Sequence, residues 1–188
     1  MKRAHSAAHP RFVLQQNLAK CARDAEASNM PFPSQESLDE VEEILGYTFH
    51  NHWLLRLALT HCSVYSNNNI SNLAWMGDAA LYMVVTEQLT ATYSNADTGD
   101  LSMARARLIS REMCSQRAKD MQLEKHMVVG KSVLSNKGGM SDAIIAEMFE
   151  ATLGAIYIDG GLESVRAIYN QHFPLPESLR HVLKPPLY

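Results

Sequence analysis

Ala74-Trp-Met-Gly-Asp-Ala-Ala-Leu-Tyr-Met-Val-Val-Thr-Glu-Gln-Leu-Thr-Ala-Thr-Tyr93 is the stretch on which the fold reading turns. Trp75, Met76, Leu81, Tyr82, Val84, Val85 and Leu89 make it apolar around much of its circumference. It is too long for an ordinary strand and shows no period-two alternation, so the pattern predicts a central, largely buried helix. A helix of that kind must be surrounded by others.

The flanking sequence supplies them. Downstream, Asp97-Thr-Gly-Asp100 reads as the cap of a helix running to about Met121, and Ser132 to Gly139 as a polar loop. Ser141 can cap another helix, which stops at Asp159-Gly-Gly161, where glycine supplies a left-handed terminal residue. A last helix covers about Leu162 to Phe173. Upstream, Asn67-Asn-Asn69 marks a loop, and His52 to Val64 carries Trp53, Leu54, Leu57, Ala58 and Cys62 at helical spacing. Ser37-Leu-Asp-Glu40 reads as a capping box opening a short helix that ends at Gly46. Pro31, Pro33 and Ser34 break the chain before it. The expected organisation is a basic extension over 1–33, an all-α domain over 34–173, and an extended tail over 174–188 containing Pro174, Pro176, Pro185 and Pro186.

With 188 residues the chain suits one domain. No stretch approaches the roughly 20 apolar residues of a membrane span, so no membrane association is expected. Cys21, Cys62 and Cys114 are odd in number and widely spaced, which argues against a disulfide framework or a zinc knuckle and fits a reducing compartment. The net charge of -3 alone speaks against nucleic acid. Its distribution is different: Leu101 to Lys137 holds eight basic residues against three acidic ones. Solvated helix faces would also explain that run. Lys2, Arg3, Arg11, Lys20 and Arg23, in a first stretch with no acidic residue, resemble an organelle transit segment, mitochondrial or plastid; a basic arm that touches RNA would have the same composition.

Two predominantly apolar helices carry acids where a core helix would not ordinarily place them. Asp78 lies in the first, and Glu147 and Glu150 share one face of the second through their i, i+3 spacing. Desolvated carboxylates repel one another unless neutralised, and a shared divalent cation is an economical explanation. Oxygen ligation without matching His or Cys favours Mg²⁺ or Mn²⁺ over zinc. A solvated acidic rim is the plain alternative. A carboxylate-bridged di-metal bundle is disfavoured because Glu-x-x-His pairs are missing.

Leu45-Gly-Tyr-Thr-Phe49, Leu54-Leu-Arg-Leu-Ala-Leu-Thr-His61, Gly77-Asp-Ala79, Gly99-Asp-Leu-Ser102 with Ala104-Arg-Ala-Arg-Leu108, Phe149-Glu-Ala151 and Gly154-Ala-Ile-Tyr-Ile-Asp-Gly-Gly161 follow in an order and spacing that resemble the ribonuclease III catalytic domain across about 38 to 168. The resemblance implies an all-helical endonuclease domain that cleaves double-stranded RNA with Mg²⁺ as a homodimer, one cleavage site per subunit. Where that family has ERLEFLGDA, this chain has Ser71-Asn-Leu-Ala-Trp-Met-Gly-Asp-Ala79. Asp78 matches the family's Asp, Glu147 stands in place of an Asp, and Glu150 matches the essential Glu. By resemblance Asp78 and Glu150 are catalytic, with Asp78, Glu147 and Glu150 the metal ligands. Ala74 replaces a usual liganding Glu, and Ser71 and Asn72 replace a Glu-Arg pair.

That departure has two readings. Loss of a ligand is expected of family members retired to structural roles in ribosomes or their assembly. Leu73-Ala-Trp-Met-Gly-Asp-Ala79 is also similar to the same segment of Mini-ribonuclease III, a compact active branch without a double-stranded-RNA-binding domain. Only 27 residues follow Gly161, which leads to the same expectation here. The resemblance places Arg105, Arg107, Arg111, Lys131 and Lys137 on RNA phosphates and 2′-hydroxyls, consistent with recognition of A-form RNA by shape. Trp75 and Met76 fall where the family's helix meets its symmetry mate; a related subunit is the alternative partner. Processing of rRNA or another RNA is the expected role. Trp53, Trp75, Tyr82, Tyr157 and the methionines otherwise read as core packing, and His50, His52 and His61 as packing or surface residues.

Overall fold

The computed structural model describes residues 13–18, 31–64, 70–135 and 139–183. Among them the regular elements are helical: α1 (13–18), α2 (Gln35–Leu45), α3 (His52–Ala58), α4 (Ile70–Thr92), α5 (Thr98–Leu108), α6 (Arg111–Asp120), a 3₁₀ turn (Leu123–His126), α7 (Lys131–Leu134), α8 (Asp142–Gly160), α9 (Leu162–His172) and α10 (Leu179–Leu183). One isolated parallel bridge joins Thr60 to Val128. No described helix is long and apolar enough to cross a membrane.

Local chemistry sets most boundaries. Ser34, rather than Ser37, caps α2: its hydroxyl accepts from the Ser37 N–H at 3.2 Å. Gly46 ends that helix at φ 65°, a conformation that favours glycine. The helix expected from Asp97 to Met121 is two helices, because Ser110 leaves α5 and caps α6 through a 3.2 Å bond from the Met113 N–H. The helix begun at His52 stops at Ala58, and the chain then bonds to Val128 instead. In the stretch read as an extended tail, α10 packs Leu179 and Leu183 into the core. Upstream of residue 34, α1 buries Leu18, and the Gln15 side chain donates to the Ile158 carbonyl at 3.0 Å. Asn67 to Asn69 and the five basic residues of the N-terminal stretch lie outside the described residues.

The buried centre is α8, which packs against α3, α4, α6 and α9. Helix α4 begins at Ile70, a turn earlier than expected, and is buried on one side only. Trp75 is 75% exposed, and Tyr82, Met83 and Met103 also face outward, which corrects the core reading of Trp75, Tyr82 and these two methionines. Periodicity cannot tell a face covered by the same chain from one left bare.

Buried polar groups pin the frame. Asp159, near the end of α8, accepts from the Tyr47 hydroxyl at 2.8 Å, the His50 N–H at 2.9 Å and the Asn51 N–H at 3.1 Å. Burial pushes its carboxyl up, but these donors and the His50 ring outweigh that and hold it below the usual carboxylate range. Arg117, also buried, lies over the rings of Tyr169 and Phe173, each at 4.9 Å, and donates to the Leu108 carbonyl at 2.7 Å.

Candidate metal centre

The site is built where α4 and α8 touch backbone to backbone. A Cβ placed on Gly77 would stand 1.8 Å from the Glu150 carbonyl oxygen, and one on Gly154 2.0 Å from the Leu73 carbonyl oxygen. Glycine at both positions allows this approach. The carboxylates next along each helix are brought together as a result: Asp78 follows Gly77, and Glu147 and Glu150 precede Gly154 by two turns and one.

Asp78, Glu147 and Glu150 line one cleft of about 460 Å³. Ala74, Ala143 and Ala146 form its apolar part, Trp75 stands at its rim, and Arg111 enters from the first turn of α6. Asp78 is exposed, whereas Glu147 and Glu150 are half-buried, so the reading of three desolvated acids holds for the two glutamates and not for Asp78.

The electrostatics centre on Glu150. Burial, then the neighbouring charge of Asp78, push its carboxyl up to about 7; Glu147 adds to this, while the Cys114 thiol and the Arg111 guanidinium pull the other way. Cys114 is fully buried on α6, and burial together with the Glu150 charge pushes its thiol up to about 12. The Ser71 hydroxyl, in the first turn of α4, donates to Glu147 Oε1 at 3.1 Å.

This donor set suits a hard cation. Its ligand atoms are carboxylate oxygens that share one open cleft, where burial and the neighbouring Asp78 charge disfavour ionised Glu150. Among the described residues, no three His, Cys, Asp or Glu side chains already converge tightly enough to hold an ion.

The basic residues expected to contact RNA sit in different local surroundings. Arg111 lies in the carboxylate cleft. Arg105 lies instead against the outward face of α4, its guanidinium 3.9 Å from the Tyr82 ring centroid and bonded to Thr86 Oγ1 at 3.0 Å. Arg107 is exposed on a shallow groove with Ser110 and Gln116, and Lys131 is exposed at the start of α7. Lys137 lies outside the described residues. Arg117 is buried, and Lys119 is paired with Asp142 at 2.5 Å, so the basic run overstates the free cations. Of the two residues expected at a dimer interface, Trp75 is exposed and Met76 is half-buried. Cys114 and Ser71 were missed as neighbours of the acids; Cys114 reaches Glu150 through the packing of α6 on α8, which leaves no trace in local sequence.

The family model described as Ribonuclease-III-like matches residues 51–175. Ribonuclease 3 of Wolinella succinogenes is 38% identical over 136 residues, covering 72% of this chain and 57% of that protein. Ribonuclease 3 of Azotobacter vinelandii is 42% identical over 130 residues, 69% of this chain and 56% of the relative. The chain thus spans little more than half the length of these curated relatives. The nuclease domain of ribonuclease III from Campylobacter jejuni, described for flexibility in a region involved in dimer formation, superposes with a TM-score of 0.69 at 30% identity, covering 73% of this chain and 99% of that domain. Helical architecture, family model and relatives agree, and the chain belongs to the ribonuclease-III-like family.

Proposed function

We propose that this protein is an endoribonuclease that hydrolyses double-stranded RNA with Mg²⁺ or Mn²⁺ held by Asp78, Glu147 and Glu150. The observation that carries this reading is that the three carboxylates and Arg111 line one cleft. When bound there, a divalent cation supplies a neutralising charge and an activated water for phosphodiester hydrolysis. The chain's own residues do the rest. Asp78, Glu147 and Glu150 hold the cation. Arg111, fixed in the first turn of α6, faces a phosphate entering the cleft and offsets its charge. Exposed Arg107 and Lys131 lie outside the cleft, where they can follow the RNA backbone, a mode of contact that reads shape rather than sequence.

The exposed face of α4, led by Trp75, is the surface for a second copy in a homodimer, or for a related subunit. The basic, acid-free N-terminal stretch supports an organellar location, and rRNA processing is the role that fits such a location. A second reading is an RNA-binding component of a ribosome or its assembly that does not cleave. Ala74 in the cleft and the absence of three converged ligands among the described residues favour it. Incubation of the purified protein with double-stranded RNA and Mg²⁺, with and without EDTA, separates the two. Cleavage suppressed by EDTA and lost in Glu150→Ala supports the enzyme, and binding without any cleavage supports the scaffold.

A further inference from the structure

We infer that Ser71 is a positioning residue of the carboxylate cleft, holding Glu147 in an orientation from which it can ligate a cation; this rests on the reading of the cleft as a metal site. The Ser71 hydroxyl, in the first turn of α4, crosses to α8 and donates to Glu147 Oε1 at 3.1 Å. The other cleft side chains around Glu147 include the methyl groups of Ala74, Ala143 and Ala146, which offer no hydrogen bond.

Glu147 needs such a tether. A glutamate loses considerable rotamer freedom when fixed, and the extra methylene over aspartate adds a torsion to be fixed. With Oε1 engaged by the hydroxyl before a cation arrives, part of that cost is already met and Oε2 remains for the ion. The tether is also neutral. It orients a carboxylate without adding charge to a cleft that already contains three acids.

The experiment is calorimetric titration of Mn²⁺ into the full chain without RNA, for wild type, Ser71→Ala, Ser71→Thr, Glu147→Asp and the Ser71→Ala/Glu147→Asp double variant. Loss of one partly exposed hydrogen bond should weaken Mn²⁺ binding about two- to tenfold in Ser71→Ala, with the metal-free melting temperature unchanged. Ser71→Thr, which keeps the hydroxyl, should bind as wild type. The shortened carboxylate of Glu147→Asp is out of reach of the hydroxyl, so adding Ser71→Ala to it should change nothing further. Wild-type affinity in Ser71→Ala, failure of Ser71→Thr to retain binding, or additive losses in the double variant each overturn the inference while leaving the metal site intact. No Mn²⁺ binding by wild type overturns the site itself, and the role of Ser71 with it.

Discussion

Gly77 and Glu150 meet through their backbones: there is no room for even a methyl group between the Gly77 Cα and the Glu150 carbonyl oxygen. The contact joins stability to chemistry, because the residue after Gly77 is Asp78 and the residue it touches is itself an acid of the cleft.

Gly77→Ala should therefore be among the most damaging small substitutions in the chain. The clashing atom is main chain and cannot rotate away, so the loss should reach or exceed the roughly 1–3 kcal/mol usual for overpacking. Urea unfolding measures it. A midpoint equal to wild type would show that the two helices do not cross this closely.

Glu150 gives the metal-free protein a pH dependence of known sign. Its carboxyl, pushed up from 4.5 to about 7, keeps its proton longer in the folded state than in the unfolded chain. Its contribution is fully favourable below about pH 4.5 and is lost as pH rises through 7, at a cost that solvent screening of this half-buried group limits to on the order of 1–2 kcal/mol. Glu150→Gln should remove that loss and melt higher than wild type at pH 8 without metal. Protons compete with Mg²⁺ for the same oxygens, so Mg²⁺ should raise the wild-type melting temperature more at pH 8 than at pH 6. Equal Mg²⁺ shifts at the two pH values would contradict both the raised value and the role of Glu150 as a ligand.

Ala74→Glu tests the replaced ligand. Ala74 lines the cleft one turn before Asp78, so a glutamate there adds a fourth oxygen donor to the same space. Without metal the extra charge should lower stability, and with Mg²⁺ it should tighten binding and lower the Mg²⁺ concentration for half-maximal cleavage. Thermal melts with and without Mg²⁺ decide it. A variant destabilised equally in both conditions would mean that the cleft does not take the ion.

The bare face of α4 should be a dimer surface. Trp75, at 75% exposure, shares α4 with exposed Tyr82 and Met83, and Met103 on α5 is exposed as well. Light scattering at micromolar concentration should show a dimer for wild type and a monomer for Trp75→Glu. A monomeric wild type would exclude self-association and leave a related subunit as the partner to seek.

Much was legible in the sequence because it is local. The apolar run from Ala74 to Tyr93, the i, i+3 pair Glu147 and Glu150, and Gly46 as a helix stop depend on neighbours within a turn or two. Asp78 lies 69 and 72 residues from those glutamates, and only the expectation of a shared cation and the family motifs placed it beside them. Boundaries that rest on competing caps were misread: Ser34 caps where Ser37 was expected, and Ser110 divides one helix into two.

What the sequence by itself determined is the all-helical class, the acids and their spacing, because periodicity and capping act over short distances. Only the tertiary structure decided which faces are covered and which charges are free. It left Trp75 bare, buried Arg117 against two rings, tied Arg105 to Tyr82, and set Ser71 and Cys114 beside the glutamates. The reason is the close approach of α4 and α8 at Gly77 and Gly154: the positions of both helices, and of α6 against α8, follow from contacts between residues far apart in the chain.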